Sequence, residues 1–276
     1  MSTDRKPRPE ADWERRVAHT RRTVLSVGGI TLLIGCIAES SKLVATAPTH
    51  ISKPRPASAT KPVHLDAKSA NHETNSLAHP DKPMFYVEEE DGSKAIALTI
   101  DDGPNAIYTP QVLQLLATYQ VTAMFSMIGS EVSALPGVAQ DVAAAGHEIA
   151  NHTWKHLDLG TMTPSAVKSE MDQATDAIHT ATGIVPSRFR APYGVWSKTV
   201  LQHCAATGMT PVDWSVDPRD WARPGVSSIV RTIMSTTRGG SIILEHDGGG
   251  NRAETVAALK IVIPRLLDEG YHFVTP

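Results

Sequence analysis

The chain has 276 residues, 41% of them hydrophobic and 20% charged, with a formal net charge of −3. That balance excludes a wholly disordered protein and a polytopic membrane protein, and it supplies no general basic field for nucleic acid. Two cysteines, Cys36 and Cys204, exclude both a disulfide scaffold and a cysteine-rich zinc module.

Residues 1–22 carry seven Lys/Arg against four acids, and an apolar run follows from Val24 to Cys36. A positive flank ahead of a short apolar stretch is the layout of an export signal. The run falls short of the roughly 20 residues that a spanning helix needs. Thr20-Arg21-Arg22-Thr23-Val24-Leu25 resembles a twin-arginine signal, and Leu33-Ile34-Gly35-Cys36 resembles a lipobox in which Cys36 is lipidated. Retention as an uncleaved anchor stays open, as does cleavage after Ala45-Thr46-Ala47, where Pro48 is unfavourable. Residues 39–83 are rich in Pro, Ser, Ala and Lys, with almost no large apolar side chain. Such a stretch reads as an extended tether, and His64, His72 and His79 as solvated linker residues. The expected organisation is 1–38 export signal or lipoprotein/membrane anchor, 39–83 linker and 84–276 folded domain. The expected location is extracytoplasmic, attached to the outer face of the membrane or else secreted.

Lys94–Ile100 is an apolar strand ending in the turn signal Asp101-Asp102-Gly103-Pro104. Thr109-Pro110 reads as N-cap and first residue of a helix through Val112 and Leu116. A strand over 121–128, a helix over about 137–145 and a short strand at 147–150 follow. Thr163-Pro164 opens a long helix to about Thr182, with Met171, Ala174 and Ile178 along one face. The remaining pattern is helix 197–207, strand 209–214, helix 226–236, strand 241–245, helix 252–268 and strand 271–274. Alternating strands and helices imply a parallel α/β arrangement. The stretch 94–276 is shorter than the roughly 250 residues of a full eight-fold barrel. A single-domain, distorted (β/α) barrel with fewer than eight units fits best, and an open doubly wound sheet is the alternative.

Polar clusters fall where the strands end, the usual place for sites in parallel α/β folds. They are Asp101-Asp102, then Asn151-His152-Thr153-Trp154-Lys155-His156, then Arg188 to Gly194, then Trp214 to Trp221, and last Leu244 to Asp247. His152 and His156 are four apart, so on one helical turn both rings could share a metal with a carboxylate as third ligand. If Asp102 ligates the cation, neighbouring Asp101 remains a carboxylate able to deprotonate water, and His246 is the natural acid. Four of the five tryptophans, Trp154, Trp196, Trp214 and Trp221, lie in or beside these loops and offer flat faces for sugars. Cys204 reads as a small buried hydrophobe.

Taken together, Thr99-Ile-Asp101-Asp102-Gly-Pro104, His152-x-x-x-His156, Arg190-x-Pro192-Tyr193, Asp217-x-x-Asp220-Trp221 and Leu244-x-His246-Asp247 resemble the polysaccharide deacetylases of the NodB-homology type, carbohydrate esterase family 4. The motifs occur in family order over about residues 94–276. The resemblance implies Asp101 as general base, Asp102, His152 and His156 as metal ligands, and His246 as general acid. It implies further that Arg190 orients Asp101, that an Asp of the fourth motif, Asp220 ahead of Asp217, tunes His246, and that the Tyr193 backbone N–H stabilises the oxyanion. Trp221 and Leu244 would wall the acetyl pocket, with Pro192 and Trp154 beside it. Ile100 replaces the family's usual Phe, and Glu245 stands where many members are apolar.

The expected function is hydrolysis of N-acetyl groups on an N-acetylhexosamine polymer, with peptidoglycan first, then chitin oligomers, then acetylated xylan. One divalent metal is expected, zinc foremost, with cobalt or another ion as alternatives. The partner is the glycan polymer; no nucleic acid is expected, and membrane contact comes only through the N-terminus of a monomer. A non-catalytic glycan-binding module would be expected to have lost at least one of Asp101, Asp102, His152, His156 and His246. A redox-iron oxygenase would leave Asp101 and His246 without roles.

Overall fold

The computed structural model describes residues 82–88 and 93–276. The expected export signal, the lipobox at Cys36 and most of the linker lie outside the described residues. The elements run β1 (Ala95–Asp101), α1 (Tyr108–Tyr119), β2 (Met124–Met127), α2 (Gly129–Ala134), α3 (Pro136–Ala144) and β3 (Glu148–Asn151). There follow α4 (Pro164–Thr182), β4 (Arg188–Phe189), α5 (Lys198–Thr207), β5 (Thr210–Pro211), α6 (Val226–Thr236), β6 (Ile242–His246), α7 (Ala253–Asp268) and β7 (His272–Phe273). Single 3-10 turns lie at Leu159–Thr161, Pro192–Gly194 and Asp220–Ala222.

Among the described residues the named strands pair in parallel throughout, in the order β5-β4-β3-β2-β1-β6, and β7 joins the start of β1. The sheet curls into a half-barrel wrapped by helices. Between its end strands, Met84 N–H donates to Pro211 O and Val87 N–H to Gly240 O, both at 2.9 Å. Val216 also pairs with Ile243 of β6. The barrel expectation therefore holds over the open doubly wound sheet.

Register sets the site. Asp101 lies opposite His246 and Ser126, so the ends of β1, β2 and β6 are level. Alternation sends Ala97, Thr99 and Asp101 into the barrel and Ile96, Leu98 and Ile100 out under the helices, where the largest apolar cluster forms. Helix ends follow local chemistry: Thr163 and Ser197 cap α4 and α5 through their hydroxyls, and Gly183 and Gly208 close them in the left-handed conformation.

Several expectations need correction. The first helix starts at Tyr108, not with Thr109 as cap: Asn105 Oδ1 accepts from the N–H groups of Ile107 and Tyr108. Thr109 Oγ1 donates instead to Asp247 at 2.5 Å. The 209–214 strand shrinks to Thr210–Pro211, because beyond Val212 the chain leaves β4: Asp213 N–H donates to Met84 O, and Ser215 and Val216 N–H to Ile242 O. The sequence reading has no element at α2 or β4. His152 and His156 do not share a helical turn; they lie on a loop with Thr153 at φ 66° and His156 at φ 56°.

Candidate active site

The loops after β1, β3 and β4 each have a non-glycine residue in left-handed backbone where they meet the site: Asp102 (φ 73°), Thr153 and His156, and Tyr193 (φ 61°). Such conformations persist only where the surroundings fix them, and they gather at functional sites. Asn151 does part of this fixing. Its Oδ1 accepts the Thr153 N–H at 2.8 Å while its amide donates to Met171 O on α4 at 2.7 Å. Glu170, also on α4, accepts the Lys155 N–H at 2.8 Å. At Gly248 any Cβ would run into the Asp102 carbonyl, so the loop after β6 can close on the loop after β1 only with glycine there.

Three acceptor atoms converge in this setting. His152 Nδ1 lies 2.8 Å from the Arg190 carbonyl, which can only accept, so the ring proton sits on Nδ1. The Nε2 lone pair then faces Asp102 Oδ1 at 3.5 Å, and His156 Nε2 faces the same oxygen at 3.3 Å. Asp102 Oδ1 is buried without a hydrogen-bond partner. Burial holds the His156 ring neutral, lowering its pKa to about 4. Burial pulls the Asp102 carboxyl up, but the neighbouring imidazoles of His152, His246 and His156 outweigh it and hold it well below the usual range. A buried carboxylate oxygen without a donor, facing two imidazole lone pairs, favours a cation among the three side chains. Asp102, His152 and His156 have their donor atoms within 4.8 Å of one another and can hold a metal ion.

Asp101 sits alongside, with Oδ2 at 3.8 Å from His152 Nε2. Its Oδ1 accepts from Arg190 Nη1 at 2.8 Å. Arg190 is fully buried in the barrel interior, where Nη1 also donates to Thr99 Oγ1 at 2.7 Å. Its Nε donates to Val212 O at 3.2 Å and its Nη2 to Asp213 O at 3.0 Å. One planar guanidinium thus ties β1 to the chain beyond β5 and orients Asp101.

His246 faces Asp101 across the end of β1. Its Nδ1–H donates to Asp220 Oδ1 at 2.7 Å, and its backbone N–H to Asp220 Oδ2 at 3.0 Å. Burial alone would lower its pKa; the bond to Asp220, then the charges of Asp220, Asp102 and Asp101, raise it to about 9. His246 is therefore an imidazolium at neutral pH, with a proton to give. Its fold-stabilising contribution is complete below the ordinary 6.5 and is lost as pH rises through about 9. With His246 in its expected role as acid, activity should fall on the same rise, and again as protons take the His156 lone pair near pH 4. A kcat/KM profile checks this; a cation beside His246 moves the alkaline limb below 9, never above.

A family profile described as polysaccharide deacetylase matches residues 88–212. A chitooligosaccharide deacetylase of Bradyrhizobium sp. is 41% identical over 205 residues, covering 68% of this chain and 94% of the relative. A peptidoglycan-N-acetylglucosamine deacetylase of Bacillus cereus is 40% identical over 198 residues, covering 70% and 92%. The chain belongs to the polysaccharide deacetylase family. A solved peptidoglycan deacetylase of Bacillus subtilis superposes with a TM-score of 0.63 at 32% identity, covering 68% of this chain and 90% of that one.

The other residues singled out by the family motifs have distinct placements. Tyr193 is exposed, its ring edge meets His156 at 4.6 Å between centroids, and its hydroxyl donates to His156 O at 3.3 Å. Pro192 is buried beneath it. Trp221 is exposed, with the Arg219 guanidinium 4.8 Å above its ring. Leu244 alternates with Glu245, so it faces the barrel interior with His246. Trp154 is half-buried, with one edge of its ring against Gly129 of α2. Trp196 donates to Asp213 at 2.7 Å and packs on Phe189, a structural role. Cys204 is a buried thiol whose pKa burial pushes up to about 12, as its small apolar character implied.

Sequence reasoning missed Thr99, Asp213, Asn151, Glu170 and Thr255 as supports of this site. Thr99 and Asn151 stood inside the motif segments and Glu170 was an acid beside the apolar face of α4, while Asp213 and Thr255, which donates to Asp220 Oδ2 at 2.6 Å, left no signal.

Proposed function

We propose that this family member removes N-acetyl groups from an N-acetylhexosamine polymer, with cell-wall peptidoglycan as first substrate. Chitin oligomers come next and acetylated xylan last. The observation that carries the reading is the opposition of two proton-transfer groups, Asp101 and His246, around the three converging acceptors of Asp102, His152 and His156. A divalent cation held by those three, zinc foremost and cobalt as the alternative, would polarise the acetyl carbonyl and lower the pKa of water. Asp101 takes the proton of the attacking water, held in place by Arg190. The Tyr193 backbone N–H supports the developing oxyanion. As the C–N bond breaks, His246 gives its proton to the departing sugar amine, and Asp220 keeps the ring in register. Acetate and a free amine result.

Ile107, Leu157, Tyr193 and Trp221 are exposed large hydrophobics, all in loops after strand ends, and they fit a surface for sugar rings. Trp221→Ala is expected to raise KM for an oligomeric substrate about two- to tenfold with little change in kcat. The nearly equal identities to chitooligosaccharide and peptidoglycan enzymes do not choose the glycan. The export signal or anchor read from residues 1–38 and the tether read from residues 39–83 favour the wall, with the chain acting as a monomer outside the cytoplasm. Acetate release from peptidoglycan, chitin oligomers and acetylated xylan, assayed in parallel with zinc-loaded protein, tests the proposal. Release from peptidoglycan first bears it out; a preference for another glycan replaces the substrate, and none from any leaves a binding module.

A further inference from the structure

Strand β6 carries an anomaly beside the acid. Its outward-facing positions are Ile243 and Glu245, alternating with the inward Leu244 and His246. Glu245 lies opposite Ile100 on β1, and both Ile100 and Ile243 belong to the main apolar cluster. An apolar side chain suits that place, yet a carboxyl with no solvent exposure stands there. Neither of its oxygens meets a hydrogen-bond donor. A buried polar group left so is costly and calls for an explanation.

Asp220 supplies it. Asp220 Oδ1 accepts from His246 Nδ1 at 2.7 Å, and Oδ2 accepts from the His246 N–H at 3.0 Å and Thr255 Oγ1 at 2.6 Å. Two ionised carboxylates are acceptors only and have nothing to exchange; one proton on Glu245 makes it a donor. The electrostatics agree. Burial raises the Glu245 carboxyl well above its ordinary range, the charge of Asp220, a hydrogen bond with Asp220 and the charge of Asp217 add to this, and only Arg252 opposes it. The same hydrogen bond helps hold Asp220 low.

We propose that Glu245 is a positioning residue for the acid: as a carboxylic acid sealed behind β6 it donates its O–H to Asp220, completing a chain Glu245–Asp220–His246. The proposal rests on the reading of His246 as acid only for its catalytic consequence. A donor on Asp220 draws charge from that carboxylate, so Asp220 grips the His246 proton less tightly and the proton is easier to give. Asp102 and Asp101, which face His246 from the β1 side, act on its proton without contact to Glu245.

The test is the pKa of His246, read from its ring resonances by NMR in the zinc-loaded full chain, for the native protein, Glu245→Leu and Glu245→Gln. Leu fits the apolar surroundings and removes the donor, so the His246 pKa rises by roughly half a unit or more. Gln keeps an N–H donor toward Asp220, so the pKa stays near the native value. No rise with Leu, an equal shift in both variants, or a fall with Gln, which marks Glu245 as ionised, overturns the proposal. The alkaline limb of kcat/KM is measured beside it. If the NMR pKa moves as expected while the limb does not, the chain stands and the acid reading of His246 fails.

Discussion

Asp101→Asn is expected to lower kcat by about 10²- to 10⁴-fold, the span of a lost general base. Asn keeps an oxygen for Arg190 Nη1, so the 2.8 Å contact survives in geometry, but it cannot take a proton from water. It also leaves the fully buried Arg190 without its counter-charge, so a lower Tm accompanies the loss. Activity measured well below that Tm, with acetate release as readout, separates the two effects. Asp102, His152 and His156 are untouched, so metal binding should persist. A variant that keeps more than about a tenth of the native kcat removes Asp101 from the mechanism.

Arg190→Met is expected to cost about 3–5 kcal/mol of stability, the usual result of breaking a buried ion pair from one side. The loss strands the Asp101 carboxylate, the Val212 and Asp213 carbonyls and one partner of Thr99 in the barrel interior. Arg190→Lys should recover little, because a point charge cannot reach the four acceptors that the planar fork reaches at once. The midpoint of denaturant unfolding, at unchanged m-value, reads both. Equal stability of Lys and native protein would show that charge alone matters there.

How much the sequence reveals depends on which interactions set each element. Helix α6 carries its own amphipathic pattern and has the bounds 226–236 read from it. Helices α4 and α5 announce themselves through Thr163-Pro164 and Ser197, whose hydroxyls cap them. Strand β4 is illegible because two residues, Arg188 and Phe189, show no period, and only their parallel pairing to β3 and β5 makes them a strand. The spacing of His152 and His156 speaks for a helical turn, but a loop held from outside by Asn151 and Glu170 brings the rings together. The chemistry-bearing residues were legible as types at strand ends. Their supports were not: Thr99 and Asp213 read as ordinary strand and turn residues until Arg190 is seen to cross the barrel to them.

The most direct test is a zinc titration of the metal-stripped full chain, following bound metal and acetate release from peptidoglycan together. Acetate release should rise in proportion to bound zinc, saturate at one ion per chain, and vanish with the ion in His152→Ala. Full activity in the stripped chain, or one tightly bound zinc with no acetate from peptidoglycan, chitin oligomers or acetylated xylan, would contradict the account.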